Sequence, residues 1–383
     1  MKPRIARGVW TLLLLPLLAH AGRAEPPEGL EGRLRDEVST LASPAFEGRR
    51  GEGGRKTAAY LVDSFRALKL EPLFEKEYLQ PVPGAEPGQV LGRNVGARLV
   101  GSDPILRDQS IILSAHFDHL GVKQGVLYPG ADDNASGVAM MLEVARALVQ
   151  GPEKPKRSIL FVGFDLEEIG LYGSRYFAEH PPVPLDRVAL FLTADMISRS
   201  LGGVCDSYVF VMGTEHAPGL RPLIEDSARG RPVKVGQVGT DLMLIDRSDY
   251  GPFRARKVPY LFFTTGENPL YHTPRDTAET LDYGKLDAIT RVILGVVQRA
   301  ANADSLPKWD SFPEPSLAEA VTIRDVLRMI LNHREEFDIK GAKALMMNNA
   351  LRQLDAIVER GTITPAERRG VMTLARIVIL SVL

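Results

Sequence analysis

Three short clusters in this 383-residue chain carry side chains able to bind metal or move protons. They are Ser114-Ala115-His116-Phe117-Asp118-His119, then Pro129-Gly130-Ala131-Asp132-Asp133-Asn134-Ala135-Ser136-Gly137, then Phe164-Asp165-Leu166-Glu167-Glu168. Asp195 and His272 follow further along. Each cluster sits at or beside a glycine-punctuated turn after an apolar run, which is where an open α/β sheet presents its chemistry. The only cysteine is Cys205. A thiolate-rich zinc cluster and an internal disulfide are both excluded, so any metal must be held by imidazole and carboxylate.

Taken singly, each motif has an ordinary explanation. His116 and Asp118, two residues apart at a strand end, share one side of the backbone; one can bind metal while the other receives the second imidazole N–H, or the two form a surface pair. Asp132, Asp133 and Asn134 lead into a helix, where such residues cap the start. A cap accounts for one side chain, whereas two adjacent carboxylates repel unless a cation neutralises one. Glu167 and Glu168 can be neighbouring ligand and general base if the backbone bends between them; a metal lowers the pKa of a bound water and the free carboxylate takes its proton. Glycines 170 and 173 allow such a bend.

Asp195 ends an apolar strand and needs a partner, because burying a carboxylate unpaired is costly. His272 lies in a turn soon after another strand. His119 carries less constraint, and His180 and His216 read as surface residues. Together His116, Asp133, Glu168, Asp195 and His272 give two metals three protein ligands each if one carboxylate bridges. That nitrogen and oxygen set suits zinc in an open catalytic site. Two metals about 3.5 Å apart can clamp an attacking water and an amide carbonyl.

The elements that must position these residues alternate. Arg93–Val100, Ser110–Ala115, Ser158–Phe164, Val188–Leu192, Tyr208–Met212 and Val258–Phe263 read as strands, several of them apolar enough to be buried on both faces. Helical spacing marks Gly29–Leu41, Thr57–Leu68, Ser136–Val149, Pro218–Arg229, Tyr250–Ala255 and Gly284–Ala301. Buried apolar strands alternating with helices predict an α/β fold with a mainly parallel sheet covered by helices on both faces.

Residues 1–24 read as a signal peptide: Lys2, Arg4 and Arg7, the apolar run Trp10–Leu18, then a small-residue cleavage site. This predicts a periplasmic or secreted protein without stable membrane insertion. A formal net charge of -1 gives no field for nucleic acid. Residues 25–303 form the expected main domain and 304–315 a proline-containing linker. Residues 316–383 form a small C-terminal helical appendage, with capping-box patterns at Ser316/Glu319 and Thr364/Glu367.

These motifs, in their order and spacing from about Leu41 to Ala301, resemble the co-catalytic dizinc aminopeptidase family. Its relatives include glutamate carboxypeptidase, the glutaminyl cyclases and the transferrin receptor ectodomain. The resemblance implies an α/β three-layer sandwich with a mixed, mostly parallel sheet, and a zinc-dependent exopeptidase with two Zn2+ per chain that acts as an aminopeptidase, removing N-terminal residues from a peptide substrate. It makes Asp133, and not Asp132, the bridge, with a cis Asp133–Asn134 bond. Glu168 and His272 complete one zinc and His116 and Asp195 the other, while Glu167 is the general base and Asp118 the partner of His116. Many relatives have histidine where this chain has Tyr250, which receives no catalytic role. A carboxypeptidase or dipeptidase, a single-zinc glutaminyl cyclase-like aminoacyltransferase and a non-catalytic binding ectodomain remain as alternatives.

Overall fold

A computed structural model describes residues 29–243 and 245–382. The expected signal peptide, residues 1–24, lies outside the described residues. In chain order the strands are β1 (Glu71–Pro72), β2 (Leu79–Pro83), β3 (Val90–Leu99), β4 (Ser110–His116), β5 (Gly121–Lys123), β6 (Val126–Tyr128), β7 (Ser158–Phe164), β8 (Val188–Ala194), β9 (Tyr208–Met212), β10 (Lys234–Gln237) and β11 (Tyr260–Thr264). The α-helices are α1 (Leu30–Leu41), α2 (Glu52–Ala67), α3 (Gly137–Gln150), α4 (Tyr172–Glu179), α5 (Arg221–Ala228), α6 (Tyr250–Ala255), α7 (Tyr283–Asn302), α8 (Leu317–Asn332), α9 (Gly341–Arg360) and α10 (Pro365–Val382).

The main sheet runs β1-β3-β7-β4-β8-β11-β9-β10, with β2 also on β3. Its four central strands, β7-β4-β8-β11, are parallel. Antiparallel pairings join β3 to its neighbours and β9 to β11, so the sheet is mixed as expected, with its parallel part at the centre.

Side chains alternate across a strand, so each apolar run feeds two cores. Ile111, Leu113, Ile159, Phe161, Leu190 and Leu192 point to the side of α1, α2, α3, α5 and α7. Ile112, Leu160, Val162, Phe164 and Phe191 point the other way, to the side of α4, α6 and α8–α10. Runs that bury both faces lose the polar alternation of a half-exposed strand.

β4 lies between β7 and β8, and the chain leaves it toward β7 through α3 and returns past it to β8 through α4. α3 packs in one core and Phe177 of α4 in the other. The crossovers therefore diverge above the carboxyl end of β4, which is where open α/β sheets leave a crevice. His116 is the last residue of β4.

The expected helices α6 and α7 and strands β7 and β9 lie where their patterns put them, while α2 begins five residues earlier, at Glu52. At residues 304–315 the chain packs on the main domain: Trp309 stacks on His216 at 4.1 Å, and Asp310 N–H donates to the His216 carbonyl. Thr364 and Glu367 form a reciprocal capping box. At α8 only half the box exists. Ser316 accepts from Ala318 N–H, but the Glu319 carboxylate is drawn away to the buried Arg368.

Candidate active site

The five histidine and carboxylate residues expected at the site converge above the central strands. His116 comes from β4, Asp133 from the turn before α3, Glu168 from the turn after β7, Asp195 from the end of β8, and His272 from the loop after β11. Asp133 sits at the middle. Its Oδ1 lies 3.4 Å from His116 Nε2, and its Oδ2 lies 3.1 Å from His272 Nε2. Asp195 Oδ1 is 3.3 Å from His116 Nε2, and Glu168 Oε2 is 3.1 Å from His272 Nε2. The two oxygens of one carboxylate thus face two separate imidazole–carboxylate pairs.

Local sequence explains how these side chains are aimed. Gly130 has φ 59°, and a Cβ there would meet the Asp133 carbonyl at 2.2 Å, so the chain doubles back only on glycine. Gly173 is tied in the same way: a Cβ would stand 2.1 Å from the Asp165 carbonyl. The Asp133–Asn134 bond is cis. Leu166, directly before Glu167, has φ 63°; Met196, directly after Asp195, has φ 52°; His272 itself has φ 53°. Non-glycine residues in the left-handed region concentrate at functional sites, where surrounding structure holds them.

Asp132 faces away from the centre. Its carboxylate accepts from the main-chain N–H of Ser198 at 2.9 Å and of Arg199 at 3.2 Å. Asp276 holds the same turn, accepting from Asp132 N–H and Asp133 N–H while Arg199 Nη1 donates to it at 2.7 Å. Asp118 departs from its simple pairing with His116. The nearest acceptor to His116 Nδ1 is the Asp118 main-chain carbonyl at 3.2 Å, with the carboxylate at 3.6 Å. The Asp118 carboxylate accepts instead from Glu167 N–H and Glu168 N–H.

Three further residues belong to the site. His119, read from the sequence as less constrained than the five, is fully buried, with Nδ1 2.7 Å from Glu168 Oε1 and 3.7 Å from Asp133 Oδ2. Its place in a third strand-end position after His116 was a signal, but the spacing to Glu168 exists only in the fold. Arg49, in the turn between α1 and α2, is fully buried. It donates to the carbonyls of Phe117, Leu41, Pro129, Gly130 and Asp133, at 2.6 to 3.1 Å. Asp249 is buried with neither carboxylate oxygen hydrogen-bonded, and burial pushes its carboxyl up to about 7. Tyr250 is core: it stacks on Tyr260 and Phe262 and its hydroxyl accepts from Arg247 N–H.

The charges fit a cation. Four donors, His119, Asp133, Glu168 and His272, have ligand atoms within 4.8 Å of one another, and so do His116, Glu167 and Asp195. Burial opposes charging of His272, yet Asp133 and Glu168 push it up to about 10. Likewise Asp195 and Glu167 hold His116 well above its ordinary value against the effect of burial. The centre thus draws positive charge, which a divalent ion supplies while leaving imidazole neutral. His272 Nε2 is buried 3.1 Å from two carboxylate oxygens and makes no aligned hydrogen bond with either. These residues fit zinc. Glu167 differs from Glu168: burial, reinforced by Asp195 and Asp249, holds its carboxyl well above the usual range, as a proton carrier requires.

Aminopeptidase YwaD of Bacillus subtilis is 28% identical over 205 residues, covering 52% of this chain and 42% of that protein. A probable zinc metalloprotease of Pyrenophora tritici-repentis is 34% identical over 131 residues, 33% of this chain and 26% of its own length. The chain thus spans less than half the length of these curated relatives. A Zn-dependent exopeptidase from Parabacteroides distasonis has the same fold, with TM-score 0.56 and 19% identity over 72% of this chain and 99% of that one. The model of peptidase family M28 matches residues 94–297, more than half of the sequence and all of the site except Arg49, and the chain belongs to that family.

Proposed function

We propose that the chain is a zinc-dependent exopeptidase with two Zn2+, acting as an aminopeptidase on peptides. The observation that carries this reading is the position of Asp133, one oxygen beside His116 and the other beside His272. His116 and Asp195 would hold one metal and Glu168 and His272 the other, with Asp133 offering a carboxylate oxygen to each. Bound zinc would supply an acidified water and polarise the scissile carbonyl. Glu167 takes the water proton and returns it to the leaving amine. Asp118 fixes the main chain on which Glu167 and Glu168 stand.

The aminopeptidase direction is supported by the name of the Bacillus subtilis relative. The export pattern of residues 1–24 supports a periplasmic or secreted location, and no helix among the described residues is long and apolar enough to cross a membrane. The test is hydrolysis by the purified chain, with and without chelator, of peptides blocked at either end. Cleavage that needs a free N-terminus and zinc is expected. Cleavage that needs a free C-terminus would make the enzyme a carboxypeptidase, and cyclisation of N-terminal glutamine without hydrolysis would make it an aminoacyltransferase.

A further inference from the structure

A cavity of about 580 Å³ begins at Asp133, Glu167, Glu168 and Asp195 and continues between the sheet and the C-terminal helices. Phe210 of β9 and Phe262 of β11 form one wall. The opposite wall is Ile323 and Ile330 of α8, Leu354 of α9 and Leu374 of α10. All of α8–α10 lies beyond the family match, which ends at residue 297. The exposed Ile245 and Arg247 and the half-buried Glu267 mark the mouth, where Arg247 and Glu267 pair with each other. Arg376, the charge on the far wall, turns its guanidinium to the carbonyls of Asp241 and Leu242. Between mouth and metal centre the walls are mainly apolar.

Size decides what the cavity can take. At roughly 30 Å³ per water-sized unit, the space holds on the order of twenty heavy atoms, several times a leucine side chain. The lining along α8 runs from Thr322 to Ile330, which at about 1.5 Å per residue is about 12 Å. An extended dipeptide spans roughly 7 Å of main chain. One N-terminal side chain would leave most of these walls in contact with water.

The far wall is fixed to the site. Arg368 of α10 is buried and grips Glu319 of α8 and Asp241, each through two hydrogen bonds of 2.6 to 2.8 Å. Asp241 begins the segment whose Leu242 and Met243 also line the cavity. Planar two-pronged pairs of this kind fix geometry as well as charge.

We propose that α8–α10 close a pocket that reads the N-terminal residue of a peptide together with its neighbour, selecting peptides in which both are bulky and apolar. The proposal rests on the aminopeptidase reading and adds to it a substrate class and a purpose for the appendage. Filling an apolar pocket at each position raises kcat/KM by at least tenfold.

The experiment compares Ala-Ala-Ala, Leu-Ala-Ala and Leu-Leu-Ala as substrates of the zinc-loaded full chain. It also measures displacement of bound anilinonaphthalene sulfonate by Leu-Leu amide and by Ala-Ala amide. Leu-Leu-Ala should exceed Leu-Ala-Ala by tenfold or more, and Leu-Leu amide alone should displace the dye. Val326→Trp on α8 and Leu374→Trp on α10, each checked for an unchanged melting midpoint, should cut the second-position gain below threefold. Equal rates for Leu-Leu-Ala and Leu-Ala-Ala, or a gain that survives in a folded tryptophan variant, overturns the proposal. If no peptide is cleaved, the aminopeptidase reading fails, and dye displacement by Leu-Leu amide still decides the pocket.

Discussion

The carboxylate of Asp118 accepts the main-chain N–H of Glu167 at 3.0 Å, and its second oxygen accepts that of Glu168 at 3.3 Å. One side chain at the end of β4 thereby fixes the turn after β7 that carries both glutamates. An amide in its place keeps one acceptor and presents a donor to the other N–H. Asp118→Asn should therefore lower kcat by about 10- to 100-fold, the usual cost of losing a support behind a metal site. Steady-state kinetics with metal content measured in parallel checks this, and a wild-type kcat would show that the turn stands without Asp118.

Glu167 is separated from Glu168 by its environment as well as its orientation. Burial and the nearby carboxylates keep its carboxyl above the ordinary range, while the histidines hold that of Glu168 below it despite burial. Glu167→Gln preserves shape and removes the proton acceptor. Loss of general acid–base catalysis costs about 10²- to 10⁴-fold, so kcat should fall by that range while zinc content is unchanged. An active Glu167→Gln enzyme would rule out Glu167 as the base.

His119 adds a third imidazole to the pair His116 and His272. Its Nδ1 lies 2.7 Å from Glu168 Oε1, on the His272 side of Asp133. His119→Ala should weaken retention of one zinc by about 10- to 100-fold, whether the ring binds the ion or steadies Glu168. Competition with a graded chelator, followed by mass spectrometry of the metal, should show one zinc lost early and one retained. Two zincs lost together at the wild-type chelator concentration would set His119 outside the site.

How much of this was legible before the fold follows from the kind of signal each residue gives. β4 and β7 stand out because both faces are buried, so Ser110–Ala115 and Ser158–Phe164 carry continuous apolar runs. β10, with Lys234 and Gly236, and β2, with Pro81 and Pro83, exist through pairing to β9 and β3; their own composition argues against strands. Asp133, Glu168 and His272 carry ligand chemistry in their side-chain types. Arg49 and Asp276 do not: apart from the Leu41 carbonyl near Arg49, the main-chain groups their side chains hold lie 68 or more positions away, and no local pattern encodes that. The pocket walls were equally hidden, because α8–α10 show helical periodicity but not the face they cover.

Arg49 offers the strongest test of such remote support. Five carbonyls from three segments receive its guanidinium inside the core. Lysine keeps the charge but offers three donors from one point and no planar fork. With two charge-assisted hydrogen bonds lost at roughly 1.5 kcal/mol each, Arg49→Lys should destabilise the fold by about 3 kcal/mol. Urea unfolding measures the change, and a shift under 1 kcal/mol would show that water replaces the lost donors.

Lys285 gives a pH dependence that can be isolated from the metal centre. It lies in the first turn of α7, where the helix dipole disfavours a cation, and is largely buried. Its ammonium donates to the Arg199 carbonyl at 2.6 Å and to Ser200 Oγ at 3.2 Å. Burial nevertheless pushes its pKa down from 10.5 to about 8. The unfolded chain therefore binds more protons than the folded one between pH 8 and 10.5, so this residue's contribution to stability rises with pH across that window. At 1.36 kcal/mol per unit the gain is roughly 3 kcal/mol at most. Lys285→Met removes it. Unfolding free energies of wild type and Lys285→Met, measured from pH 7 to 10.5, should diverge progressively in favour of wild type as pH rises; parallel curves would mean that Lys285 stays charged in the folded protein.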